Sequence, residues 1–82
     1  MRRKRIIEHD YEYLPITENI VNAKGVCGGR LTFKYTRLEP KPFVNMINNG
    51  EWTIEYILEN WPQIKREALI EAIELDRLGK LK

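Results

Sequence analysis

From Arg30 to Thr36 apolar and polar residues alternate: Leu31, Phe33 and Tyr35 fall on one side of an extended chain, Arg30, Thr32, Lys34 and Thr36 on the other. A period of two predicts a strand with one packed face and one wet face. Upstream, Leu14, Ile16 and Ile20 predict a second strand over residues 14–21, which Pro15 confines to a sheet edge. Asn22-Ala23-Lys24-Gly25 and Gly28-Gly29, lying between the two, are turn chemistry. Beyond residue 38 the period changes. Glu39-Pro40-Lys41-Pro42 opens a helix, because proline is tolerated in the first turn, and Phe43, Val44 and Ile47 form its apolar stripe up to a stop at Gly50. Thr53 is a suitable N-cap for a second helix whose Ile54, Ile57, Leu58 and Trp61 recur at i, i+3, i+4 and i+7. Pro62 ends it. A third helix is predicted over residues 65–78, burying Ala68, Leu69, Ala72 and Ile73, with Gly79 closing it. The expected fold is therefore α+β and mainly α. A short N-terminal β element, used in dimerisation, would precede a three-helix helix-turn-helix bundle of winged or homeodomain-like type. Residues 1–12 read as a basic, flexible N-terminal arm, and residues 13–82 as a single helix-turn-helix domain.

With 82 residues the chain is one domain with a small core, burying about 60 to 65% of its unfolded surface. Cys27 is the only cysteine, so no intrachain disulfide is available. One unpaired cysteine suits a reducing compartment, and the run Met1-Arg2-Arg3-Lys4-Arg5-Ile6-Ile7 lacks the apolar stretch of a signal peptide, so a cytoplasmic location is expected. The formal net charge of +2 hides a segregation of sign. Residues 1–41 hold nine basic and five acidic groups. Residues 51–76 hold only Lys65 and Arg66 against Glu51, Glu55, Glu59, Glu67, Glu71, Glu74 and Asp76.

Catalytic chemistry finds few candidates. The chain contains no serine. His9 is the only histidine, and His9-Asp10 lies near a terminus expected to be loosely ordered. No histidine is placed by sequence to activate Cys27. One histidine and one cysteine make no zinc site. A non-enzyme without metal, cofactor or small-molecule substrate is expected, and no apolar run reaches membrane-spanning length.

Gly28-Gly29-Arg30, a strand, Thr36-Arg37-Leu38, an apolar helix, Gly50, Thr53-Ile54-Glu55-Tyr56-Ile57-Leu58, Trp61-Pro62-Gln63-Ile64, then Leu69 and Ala72 follow one another in a characteristic order. Over residues 16–77 this resembles the small antitoxin-like proteins catalogued as domain of unknown function 433. The resemblance implies a VapB-type antitoxin with a three-helix, nucleic-acid-binding-like fold and a partner, a ribonuclease-like toxin of the PIN class. The chain departs from that pattern in having Tyr35-Thr36-Arg37 where the family usually has Gly-Thr-Arg, and the Pro40/Pro42 doublet where it has a plainer Pro-Val.

Charge divides the remaining tasks. A third helix carrying Glu67, Glu71, Glu74 and Asp76 would be repelled by phosphates, which disfavours the usual insertion of that helix into a DNA groove. If DNA is bound, the candidates are the basic arm Arg2, Arg3, Lys4 and Arg5 and the strand-face residues Arg30, Lys34 and Arg37. Candidates for holding a protein partner are Tyr11, Tyr13 and Trp52, with Glu55, Glu59, Glu67 and Glu71 offering an acidic surface to a basic nuclease. The expectation is a homodimeric antitoxin-like protein that sequesters such a toxin and binds operator DNA through its basic front. The alternatives are a DNA-binding transcriptional regulator without a toxin partner and an interaction subunit without nucleic acid.

Overall fold

A computed structural model of the chain describes residues 4–81. Four strands, β1 (Ile6–Glu8), β2 (Tyr11–Pro15), β3 (Ile20–Ala23) and β4 (Leu31–Phe33), are followed by three helices, α1 (Pro40–Asn48), α2 (Ile54–Asn60) and α3 (Arg66–Arg77). The strands form one antiparallel sheet in the order β1-β2-β3-β4. This corrects the expectation of a mainly α fold with a short β element: the sheet is a full layer of an α+β structure.

Two local turns account for the difference. His9-Asp10 is a two-residue hairpin loop, with Glu8 opposite Tyr11 and His9 at φ 55, and it pairs β1 with β2. The boundary expected between residues 12 and 13 thus cuts through β2, and residues 6–8 are a sheet strand rather than an arm. The strand expected over residues 14–21 is two strands. The Ile16 and Thr17 amides both donate to the Ile20 carbonyl, folding the chain back so that Leu14 faces Asn22 and Pro15 faces Val21. The apolar positions of that stretch belong to opposite arms of a hairpin.

The pleat places Ile20 and Phe33 on the face toward the helices. There they join Phe43 and Val44 of α1, Ile57 of α2, Ile64, and Ala68, Leu69, Ala72 and Leu75 of α3 in one core, with Leu81 packed against it. Leu75 is buried and Ile73 only half-buried, a shift within the expected stripe. Helix ends follow the local signals: the Thr53 Oγ1 accepts the Tyr56 amide at 3.0 Å, and Gly50 and Gly79 take φ of 77° and 71° after α1 and α3. Asp76 ties α3 to α1 by accepting from Lys41 Nζ and Asn48 Nδ2, each at 3.1 Å. Lys41, then Asn48, holds the Asp76 carboxyl below its ordinary range. Because that folded-state value is depressed, the tie is complete above the ordinary carboxylate range and is lost as pH falls through the lowered value.

The face expected to be wet over residues 30–36 is exposed only at Arg30, with Lys34 and Thr36 half-buried and Thr32 buried, while Tyr35, expected on the packed face, is 60% exposed. Tyr13, Val21 and Ala23 form a second buried cluster on the sheet face away from the helices, with Tyr11 and Val26 packed on it. Thr32, opposite Val21, is fully buried. Its hydroxyl has no hydrogen-bond partner among the described residues. Thr32→Val is therefore expected to stabilise the fold by about 1 kcal/mol in urea denaturation, since it replaces an unpaired buried hydroxyl by a methyl of the same shape. A destabilised variant would show that the hydroxyl does have a partner in solution.

β4 ends at Phe33 because the chain turns. The Thr36 amide donates to the Phe33 carbonyl at 3.0 Å and Tyr35 takes φ 66. The tight turn at Tyr35-Thr36-Arg37 thus forms with a tyrosine in the left-handed region, where glycine would be unstrained.

Candidate functional site

The predicted cations are not gathered into one stripe. Arg2 and Arg3 lie outside the described residues. Arg5 starts the β1 edge of the sheet, where it reaches Asn22 Oδ1 at 3.5 Å and Glu12 at 3.9 Å, while Arg30, Lys34 and Arg37 flank β4 at the opposite edge. Arg30 donates to Glu39 at 2.8 Å. The Lys34 ammonium lies 5.1 Å from the ring centres of both Tyr13 and Tyr35. Lys4 and Arg37 are exposed. Three of the expected phosphate ligands are thus already engaged with a carboxylate or an aromatic face.

The expected partner-binding residues divide in the same way. Tyr13 is 2% exposed and belongs to the outer-face cluster. Tyr11 is half-buried, its ring 5.1 Å from Tyr13 and 5.2 Å from Tyr35, and its hydroxyl accepts the Tyr35 amide at 2.9 Å. Tyr35 in turn donates its hydroxyl to Glu8 at 2.7 Å, which holds the Glu8 carboxyl below its ordinary range. Both tyrosines expected as anchors thus pack within the fold, Tyr13 fully and Tyr11 in part. So does Glu71, whose carboxylate accepts from the Thr17 hydroxyl, from the Asn19 amide at 2.9 Å and from Asn19 Nδ2 at 2.8 Å. It clamps the β2–β3 turn onto α3. Glu55, Glu59 and Glu67 remain on the surface. Glu55 meets Arg66 at 3.2 Å, and its carboxyl is held below the ordinary range by its own backbone amide first and Arg66 second.

Trp52 has company that spacing alone did not reveal. After α1, the amides of Glu51 and Trp52 both donate to the Met46 carbonyl, at 3.0 and 3.3 Å, folding the α1–α2 turn back so that Trp52 lies on Phe43 with ring centres 6.2 Å apart. Trp61, held where Pro62 terminates α2, meets Phe43 edge-on at 4.9 Å and Trp52 at 5.0 Å. Tyr56 adds a fourth ring 5.4 Å from Trp52. An open apolar groove of about 510 Å³ is lined by Pro42, Phe43, Asn45, Met46, Trp52 and Trp61. Glu51, Glu55 and Glu59 are exposed on the segment that supplies its tryptophans. The i, i+4 spacing of Trp52 and Tyr56 is a signal for part of this cluster; Trp61, in the apolar stripe of α2, packs against the core as well as against Trp52.

His9 and Asp10 sit with Glu8, Tyr11 and Tyr35 around a shallow depression at the hairpin tip. The half-buried Cys27 thiol donates to the Arg37 carbonyl at 3.1 Å. Among the described residues no three His, Cys, Asp or Glu side chains converge on a common metal position, and no helix is long and apolar enough to cross a membrane.

Compared with known proteins, residues 20–75 match the model of the family described as Protein of unknown function (DUF433). No curated protein and no solved structure matches the chain. The matched stretch runs from β3 through nearly all of α3 and includes the aromatic groove, while β1 and β2 lie outside it.

Proposed function

The chain belongs to the DUF433 family, and from that premise we propose that it is a cytoplasmic, non-catalytic binding protein of the VapB antitoxin type, which neutralises a basic nuclease of the PIN class by covering it. The observation that carries this reading is the joint of α1 and α2, where clustered aromatic side chains line an open groove and the segment that supplies its tryptophans exposes Glu51, Glu55 and Glu59. Buried aromatic area supplies binding energy, and negative charge suits a surface shaped to hold RNA. The rival reading, a DNA-binding regulator without a protein partner, has weaker support. The acids of α2 and α3 would face phosphates, and Arg5, Arg30 and Lys34 are engaged within the fold.

Co-expression with the product of the adjacent open reading frame tests the proposal. The expected result is a complex that co-purifies at low salt, lacks ribonuclease activity and dissociates as salt is raised. A partner that fails to co-purify at low salt, or that keeps its nuclease activity inside the complex, removes the antitoxin reading.

A further inference from the structure

Resting on that reading, we infer that the groove between α1 and α2 is the docking site for a cationic amphipathic segment of the partner, whose apolar side chain enters between Trp52, Trp61 and Met46 while an arginine or lysine lies over an indole face. The floor and walls are apolar apart from the Asn45 amide. Indole faces attract cations, more strongly where water is excluded. Glu51 and Glu59 are exposed, and no cation lies within 4.0 Å of either among the described residues. α2 itself carries no lysine or arginine.

The same facts disfavour other occupants. A two-fold contact between copies through this groove would bring two sets of Glu51, Glu55 and Glu59 into one interface, because an isologous contact repeats the charges of its patch, and α2 supplies no cation to offset them. A nucleic acid strand could stack on the tryptophans, but its phosphates would meet the carboxylates. A polyproline ligand would use the rings and leave the acids without partners.

Trp52 and Trp61 are the only tryptophans in the chain, so intrinsic fluorescence reports the groove directly. The probe is a synthetic helical peptide of leucine and arginine, with an otherwise identical leucine and glutamate peptide alongside. The leucine–arginine peptide is expected to shift the emission saturably, with an affinity that falls as salt rises, and the acidic peptide to leave it unmoved. The double reversal E51K/E59K, at exposed positions, is expected to weaken binding about tenfold or more with unchanged circular dichroism. E18K, an exposed reversal on the β2–β3 turn, is expected to leave binding as it was. Equal response to both peptides, no saturable shift, or E51K/E59K binding as tightly as the parent overturns the assignment. So does an emission shift that depends on protein concentration alone, which would mean a second copy fills the groove. A nuclease complex that forms and ignores E51K/E59K sinks the groove and leaves the antitoxin reading standing; peptide binding without any nuclease partner does the reverse.

Discussion

Phe33→Ala is expected to remove a large share of the folding stability, about 3–5 kcal/mol, at ordinary temperature. The side chain is 1% exposed and is the central sheet residue of the main core, facing Ile20 across the β3–β4 pair and lying 6.1 Å from the Phe43 ring of α1. Truncating a buried phenylalanine costs about 3–5 kcal/mol, the lost transfer energy plus the cavity left behind. A domain of this size has a total stability of about 4–12 kcal/mol, so the loss is a large share of the whole. No disulfide compensates, and the sheet and helices share this one contact layer. Urea denaturation followed by far-ultraviolet circular dichroism checks it, with Phe33→Leu expected to cost less than about 1.5 kcal/mol because it nearly conserves volume. A Phe33→Ala midpoint equivalent to less than about 1 kcal/mol of loss would mean that the sheet does not depend on this layer.

Glu71→Ala is expected to cost about 2–4 kcal/mol, an unusual loss for a glutamate on a helix. Its carboxylate receives the Thr17 hydroxyl, the Asn19 amide and the Asn19 side chain, and Asn19 is only 8% exposed. Removing the acceptor leaves two Asn19 donors with little water to replace it. Hydrogen bonds to a charged group contribute more than neutral ones, and orphaned buried donors carry a desolvation penalty. Glu71→Gln keeps one acceptor oxygen but turns an amide toward groups that already donate, so it should fall between parent and alanine. The exposed Glu67→Ala is the comparison and should change stability by less than about 0.5 kcal/mol. Equal effects at positions 67 and 71 in the same denaturation experiment would refute the clamp. The assignment also bears on function, because Glu71 is then unavailable to a partner while Glu51 and Glu59 remain open to one.

The three helices were legible in the residues because helical hydrogen bonds close within four positions. Pro40 at the opening of α1, Gly50 after it, Thr53 capping α2, Pro62 ending it and Gly79 after α3 are each local signals that no distant contact overrides. The expectation of a non-enzyme was equally local, since it rests on composition: one histidine, one cysteine and no serine. Strands are different, since their hydrogen bonds go to a partner that sequence does not name. Leu14 and Ile20 look continuous along the chain, yet a turn at 16–19 places them on separate strands, and the β1–β2 hairpin starts directly behind a basic run, Arg2 to Arg5, that reads as a tail. Tertiary structure also decided the role of each charged or aromatic side chain, because that role depends on what lies opposite. The same glutamate spacing yields a half-buried clamp at position 71 and a solvated acid at position 67, and tyrosines suited to an interface at positions 11 and 13 pack onto the protein's own sheet. The aromatic groove exists only where the folded ends of α1 and α2 meet.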